Sequence, residues 1–151
     1  MKTLLIISCI LFFSNSFSQS NKELKTLEYA NMEIDIPDTC TATSKHEIID
    51  CDGLSIQWTY VDKKMLNSAY KELINQFSNK TKTKEEMEVL SYGAVLKGYK
   101  FTYENPKTLN RLIVHGTVNK QPLILQVASE DELMGVFDFN EFLEKIITLK
   151  M

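Results

Sequence analysis

The sequence predicts an α+β fold in which an antiparallel β-sheet is sandwiched by helices. Two observations carry this prediction. Most of the chain alternates apolar and polar residues with a period of two, which is typical of half-buried strands. Two segments, residues 65–78 and 138–149, instead repeat their apolar residues at helical spacing. The strands follow one another in meander order, with one helix after the third strand and one at the end, so we expect the helices to cover the sheet.

The first strands precede the first helix. Residues 19–28 are polar and are predicted to be a loose lead-in. A strand over residues 32–36 ends at Pro37, a second covers residues 45–49, and Asp52-Gly53 is a hairpin signal. The third strand places four apolar side chains on one face: Leu54, Ile56, Trp58 and Tyr60.

An amphipathic helix is predicted over residues 65–78, packed across the sheet. The charged run 79–86 is predicted to be a solvated connection. Strands resume at Met87, broken by turns or bulges at Gly93 and Gly98. Three aromatic side chains then share a face until Asn105-Pro106 closes the strand: Tyr99, Phe101 and Tyr103.

The last part of the chain predicts a hairpin and a terminal helix. Strands over residues 111–118 and 123–128 are joined by the four-residue loop 119–122. The helix begins with Asp138 as its N-cap and Glu141 at the third helical position, which is a capping box. Its apolar stripe consists of Phe139, Phe142, Leu143, Ile146 and Leu149.

The amino terminus predicts export. Lys2 precedes an apolar run over residues 4–13, which is too short to cross a hydrocarbon core of about 30 Å but suits a signal peptide. We expect residues 1–18 to be a signal peptide that is cleaved after Ser18. Residues 19–151 then form a single domain that is secreted or periplasmic and has no membrane span.

Cysteine usage agrees with an oxidising compartment. Residues 6–9 resemble a lipobox, but Cys9 comes before the apolar run is complete, so we expect it to leave with the leader. Cys40 and Cys51 then remain and are predicted to form a disulfide. Closing this loop of 12 residues stabilises the fold by about 3 kcal/mol.

A metal site is the alternative use of these two thiolates. His46 lies between the cysteines, and Asp50 or Asp52 could complete a set of four ligands. The spacing matches no common zinc signature, and exported thiolates oxidise readily. The sequence therefore predicts a disulfide and no metal.

Charge and motifs exclude several classes of protein. The chain has 17 Lys plus Arg against 20 Asp plus Glu, and its pI is about 5.4, so no nucleic-acid partner is predicted. No phosphate-binding loop, nucleophile elbow or zinc-protease motif occurs. The two histidines, His46 and His115, sit in no catalytic frame. We therefore expect no enzyme activity and no cofactor.

Aromatic side chains provide the candidate ligand-facing residues. They could line a groove, although period-two spacing also suits a sheet face that is buried under a helix. His115 could likewise be a half-buried strand histidine. A pocket built from these side chains would hold an apolar or planar ligand. The candidates are Trp58, Tyr60, Tyr99, Tyr103 and His115.

In three places the sequence resembles the PsbP-like family, whose members have an antiparallel sheet sandwiched by helices. Residues 32–37 resemble the opening strand that ends at proline. Residues 54–60 lead into a helix near Met65, as in that family. Residues 123–128 and 137–147 resemble its closing strand and helix. The aromatic residue that usually follows the opening proline is absent.

The resemblance implies binding and not catalysis. Members of the family are extrinsic subunits of photosystem II, a partner of a small nuclear GTPase, and exported bacterial proteins or accessory chaperones. The sequence thus predicts an exported, non-enzymatic binding or accessory protein with an unknown protein partner in the cell envelope. An immunity protein that neutralises a toxin would look the same.

A second hypothesis is a small apolar-ligand binder or a weak hydrolase. Its pocket would lie between the sheet and the helix over residues 65–78, with His115 or Tyr103 reaching into it.

Overall fold

The computed structural model describes residues 24–104, 107–130 and 141–149. The predicted leader over residues 1–18 and the predicted helix cap at Asp138 lie outside the described residues, as does the predicted strand end at Asn105-Pro106. Of the described residues, 57% lie in strands and 17% in helices. No helix among them is long and apolar enough to cross a membrane.

Antiparallel strands dominate the structure. In chain order the described elements are β1 Thr26–Tyr29, β2 Met32–Asp35, β3 Cys40–Ser44, β4 Glu47–Cys51, β5 Leu54–Tyr60, α1 Leu66–Ser78, β6 Thr83–Ser91, β7 Ala94–Tyr103, β8 Leu109–Val118, β9 Gln121–Ser129, α2 Glu141–Ile146 and β10 Thr148–Leu149. Eight strands form one sheet in the order β10-β6-β7-β8-β9-β5-β4-β3, and β1 pairs with β2 in a separate hairpin.

Two-residue turns make consecutive strands into neighbours. Four of these turns have positive φ at both residues, as type I′ turns do: Ala30-Asn31, Asp52-Gly53, Tyr92-Gly93 and Asn119-Lys120. The backbone twist of this turn type matches the twist of the strands that it joins. The predicted Asp-Gly hairpin is confirmed. The predicted four-residue loop 119–122 is wrong, because Gln121 and Pro122 already pair with β8.

Helix α1 packs on one face of the sheet. Its buried side chains, Leu66, Tyr70 and Ile74, meet three buried side chains of the central strands, Phe101, Ile113 and Ile124. These three belong to β7, β8 and β9, so the helix lies over the middle of the sheet.

The β1–β2 hairpin and α2 cover the opposite face. The hairpin is bonded to β5: Trp58 Nε1 donates to the Glu28 carbonyl at 3.0 Å, and the Tyr60 hydroxyl donates to the same oxygen at 3.1 Å. The Ala30 amide in turn donates to the Tyr60 hydroxyl at 2.8 Å. The ring of Tyr29 packs edge-on against Trp58 at 5.0 Å. The β1–β2 hairpin is therefore part of the hydrophobic core on this face of the sheet.

The predicted α+β sandwich with flanking helices is wrong, because the fold is dominated by its sheet. The polar segment 19–28 is not wholly a lead-in, since β1 begins at Thr26 and the side chain of Leu27 is buried. The terminal helix does not reach Leu149. It ends at Ile146, and Thr148 pairs with Leu90 of β6 instead. A hairpin and a six-residue helix thus stand where a full helical layer is predicted.

The boundaries of the other helices and strands agree with the predictions in some places and differ in others. The predicted helix over residues 65–78 is confirmed to within one residue. The strand β3 is missed, because its hydroxyl-rich sequence shows no clear alternation. The predicted connection 79–86 is too long, since β6 begins at Thr83 and pairs with Thr102. Backbone pairing with β7 overrides the polar composition there.

Cys40 and Cys51 are register partners on β3 and β4, with their Cα atoms 4.3 Å apart. The two sulfur atoms are joined as a disulfide, as predicted, and both residues are buried. The bond fastens β3, at one edge of the sheet that the described strands form, to its neighbour β4.

Removing the disulfide should weaken the fold. Closing a loop of 12 residues limits the unfolded chain, so the double variant Cys40→Ala/Cys51→Ala should lose about 3 kcal/mol of unfolding free energy. Urea unfolding with and without reductant measures this loss. The wild type should be sensitive to the reductant and the variant insensitive. An unchanged wild-type midpoint, with mass spectrometry showing two free thiols, would contradict the expectation.

Gly98 should not tolerate a side chain. A β-carbon there would overlap the carbonyl oxygen of Ile113 and would lie 2.8 Å from the hydroxyl of Tyr70. Gly98→Ala should therefore cost about 1–3 kcal/mol of unfolding free energy. Gly116→Ala is the matched control, because its nearest contact is the movable end of Leu96 at 2.6 Å. Equal losses in the two variants would contradict this account.

Candidate functional site

A cleft lies at the C-terminal end of α1, between the helix, the end of β7 and the start of β8. Its volume is about 500 Å³, which lies within the usual range for small-molecule sites. We call it the Arg111 cleft. Its lining combines apolar and charged side chains: Phe77, Lys80, Tyr103, Lys107, Leu109, Arg111 and Glu130, with Gln76 and Thr108.

Arg111 connects this cleft to the sheet. It pairs with Phe101 across β7 and β8 and therefore shares the α1 face of the sheet. Its guanidinium carbon lies 4.8 Å from the centre of the Phe77 ring, which is a cation–π distance. Its Nη1 donates to Gln126 Oε1 at 3.2 Å. Its Nε is buried and has no hydrogen-bond partner among the described residues.

Tyr103 forms a second wall of the Arg111 cleft. Its hydroxyl donates to the Phe77 carbonyl at 3.3 Å, which ties the end of β7 to the end of α1. Burial raises the pKa of Tyr103, and the positive charge of Arg111 opposes this rise. The phenol is therefore neutral at physiological pH.

The described lining of the cleft carries more positive than negative charge. It contains Lys80, Lys107 and Arg111, and one carboxylate, that of Glu130. Lys107 and Glu130 lie 3.5 Å apart, and their side chains are 74% and 70% exposed. An exposed pair of this kind contributes little to stability and is easily rearranged.

A second cleft, of about 510 Å³, flanks α1 on the side of β6 and β7. We call it the His115 cleft. The His115 ring stacks on the Tyr70 ring with centroids 3.8 Å apart. Its Nδ1 donates to the Lys97 carbonyl at 2.9 Å. Burial lowers the pKa of His115, and the hydrogen bond to Lys97 partly opposes this shift. Tyr99 also lines this cleft.

Trp58 and Tyr60 lie on the opposite face of the sheet from both clefts. Trp58 is only 2% exposed, and both side chains bond to the β1–β2 hairpin. The five candidate ligand-facing residues are thus divided among three places: Tyr103 in the Arg111 cleft, Tyr99 and His115 in the His115 cleft, and the other two at the hairpin.

Sequence reasoning missed Arg111, Phe77 and Lys107 as a group. One available signal was that Arg111 is the only arginine of the chain and lies two residues before the apolar residue Ile113 on the same strand face. Period two places its charge beside the core. The residue that α1 contributes to the cleft beside Arg111, Phe77, could not be predicted in this way, because its position depends on where the helix packs on the sheet.

The alternative metal site does not assemble. The sulfur atoms of Cys40 and Cys51 bond to each other. The His46 ring instead lies edge-on to Tyr60, with centroids 5.4 Å apart. Across the ranges that the structure describes, no three His, Cys, Asp or Glu side chains are grouped to hold a metal ion.

Comparison with known proteins gives no match: no family model matches the chain, and neither does any curated protein or solved structure. None of these comparisons links the chain to the PsbP-like family, so that resemblance stays a prediction from the sequence.

The pKa of His115 should make stability depend on pH. Since folding lowers this pKa, the unfolded chain binds the proton at a higher pH than the folded chain does. Stability should therefore fall as the pH drops below about 6.5 and should level off below the folded-state pKa.

Urea unfolding at a series of pH values measures this dependence. His115→Gln should show a smaller fall than the wild type. Tyr70→Phe, which keeps the stacked ring, should keep the wild-type slope. Identical slopes in the wild type and His115→Gln would contradict the assignment.

Proposed function

We propose that the protein is a non-enzymatic binding protein that holds a small, largely apolar ligand in the Arg111 cleft. The cleft lies between the sheet and α1. The second hypothesis from the sequence expects a pocket in this place. The observation that carries the proposal is a cleft with aromatic and aliphatic walls around a half-buried arginine. Sites for small ligands combine apolar walls with few polar groups in this way.

The Arg111 cleft is chosen over another cleft because of the side chains that line it. A larger cleft, of about 740 Å³, lies beside β2 and β3. Its lining includes exposed residues such as Asp38, Thr41 and Thr43. More than half of its lining is polar, whereas the lining of the Arg111 cleft is mostly apolar. The Arg111 cleft instead has Phe77, Tyr103 and Leu109 on its walls.

The separation of the candidate catalytic groups favours binding over hydrolysis. His115 and Tyr103 line different clefts, so the two do not form one site. His115 is further engaged by the stacked ring of Tyr70 and by the Lys97 carbonyl. Export through residues 1–18 and a protein partner in the cell envelope are retained as predictions from the sequence.

A thermal-shift screen of small apolar compounds tests the proposal. A ligand at 100 times its dissociation constant adds about 2.7 kcal/mol to stability, which raises Tm by about 5–10 °C for a domain of this size. Thr108→Trp should abolish the shift, because the indole fills the mouth of the Arg111 cleft.

The matched control is Glu86→Trp, which places the same side chain in the His115 cleft and should leave the shift unchanged. A shift that survives Thr108→Trp and disappears in Glu86→Trp would place the site in the wrong cleft. A screen without any stabilising compound, or chemical turnover of the compound that binds, would contradict the proposed function.

A further inference from the structure

We infer that the ligand of the Arg111 cleft is an organic carboxylate, with its carboxylate on the Arg111 guanidinium and its apolar body against Phe77, Tyr103 and Leu109. This inference rests on the proposed function and specifies its ligand class.

The first argument is the state of Arg111 itself. The side chain is half-buried, and its guanidinium carbon lies over the Phe77 ring, 4.8 Å from the ring centre. None of the ion pairs found among the described residues includes Arg111. Within the described part of the chain its one acceptor is the neutral amide oxygen of Gln126 at 3.2 Å, and its buried Nε has none. Removing a cation from water without a counter-charge is costly, so the site favours an anion.

The second argument is the choice of arginine. The chain has 17 Lys plus Arg, and Arg111 is its only arginine. Lysine would supply the same charge, but only the planar guanidinium presents a fork of N–H donors that matches both oxygens of a carboxylate. The Phe77 ring and the bond to Gln126 fix the plane of this fork, so little side-chain freedom remains to be lost on binding.

The third argument is the local charge. The protein carries a net charge of −3, yet among the described residues that line the Arg111 cleft Lys80 and Lys107 lie beside Arg111, and Glu130 is the one acid. Lys107 is held to Glu130 by an exposed pair, which an incoming anion can replace. The described lining of the cleft therefore favours a small anion, although the protein as a whole is negatively charged.

The walls distinguish an organic acid from an inorganic anion. Two aromatic rings and Leu109 leave apolar surface that inorganic phosphate would not cover. The aliphatic or aromatic nature of the body is decided by the experiment.

Isothermal titration calorimetry of the wild-type protein with four probes tests the inference. Decanoate and 2-naphthoate are compared with their neutral amides, decanamide and 2-naphthamide. A charge-assisted bond should make at least one carboxylate bind about tenfold or more tightly than its amide. The preference should decrease as salt is raised, because the ion pair is partly exposed.

Variants locate the preference. Arg111→Gln should abolish the difference between the acid and the amide, whereas Arg111→Lys should reduce it, because it keeps the charge and loses the fork. Lys63→Gln removes the same charge just before the opposite end of α1 and should leave the difference unchanged. The acid-to-amide ratio of the wild type decides the inference even if Arg111→Gln does not fold.

The outcomes separate the inference from the proposed function. If acids and amides bind equally in the wild type, the carboxylate inference is wrong and the small-ligand function stands. If decyl phosphate binds more tightly than decanoate, the inference is also wrong. If acids, amides and the wider screen all fail to bind, the proposed function falls together with the inference. A preference that persists in Arg111→Gln and disappears in Lys63→Gln would overturn the assignment to Arg111.

Discussion

The course of α1 along β7 and β8 determines where this protein can hold a ligand. Tyr70 lies at Gly98 and His115, and Phe77, two turns later, lies at Tyr103 and Arg111. The helix therefore covers the middle of one face and leaves one cleft beside it and one at its C-terminal end.

The opposite face of the sheet is covered by other elements of the fold. The β1–β2 hairpin and α2 fill it, and the polar atoms of Trp58 and Tyr60 bond to the hairpin backbone. Two aromatic residues that resemble ligand contacts are thereby engaged within the fold. The Tyr29 hydroxyl shares a buried hydrogen bond of 2.6 Å with Ser91 on β6, which anchors the hairpin to a second strand. The covered face of the sheet thus stabilises the domain, whereas the face under α1 remains partly open.

Local patterns predict the local structure well and its assembly poorly. Alternation locates β5 and β8, and helical spacing locates α1 almost to the residue, because each carries its own amphipathic signal. The strand β3 and the start of β6 lack such a signal and form because a neighbouring strand offers backbone partners. Of the candidate site, Tyr103 could be predicted. Arg111 with Phe77 could not, since their contact depends on how the helix crosses the sheet.

The disulfide between β3 and β4 has a consequence for solubility. A terminal strand with one neighbour normally frays, and fraying here would bare the backbone of β4 next to Ile49, which is 48% exposed. Such an edge recruits strands from other molecules. The covalent link prevents β3 from separating, so the bond shields the sheet from intermolecular growth. A reducing environment would therefore favour aggregation well before it unfolds the domain.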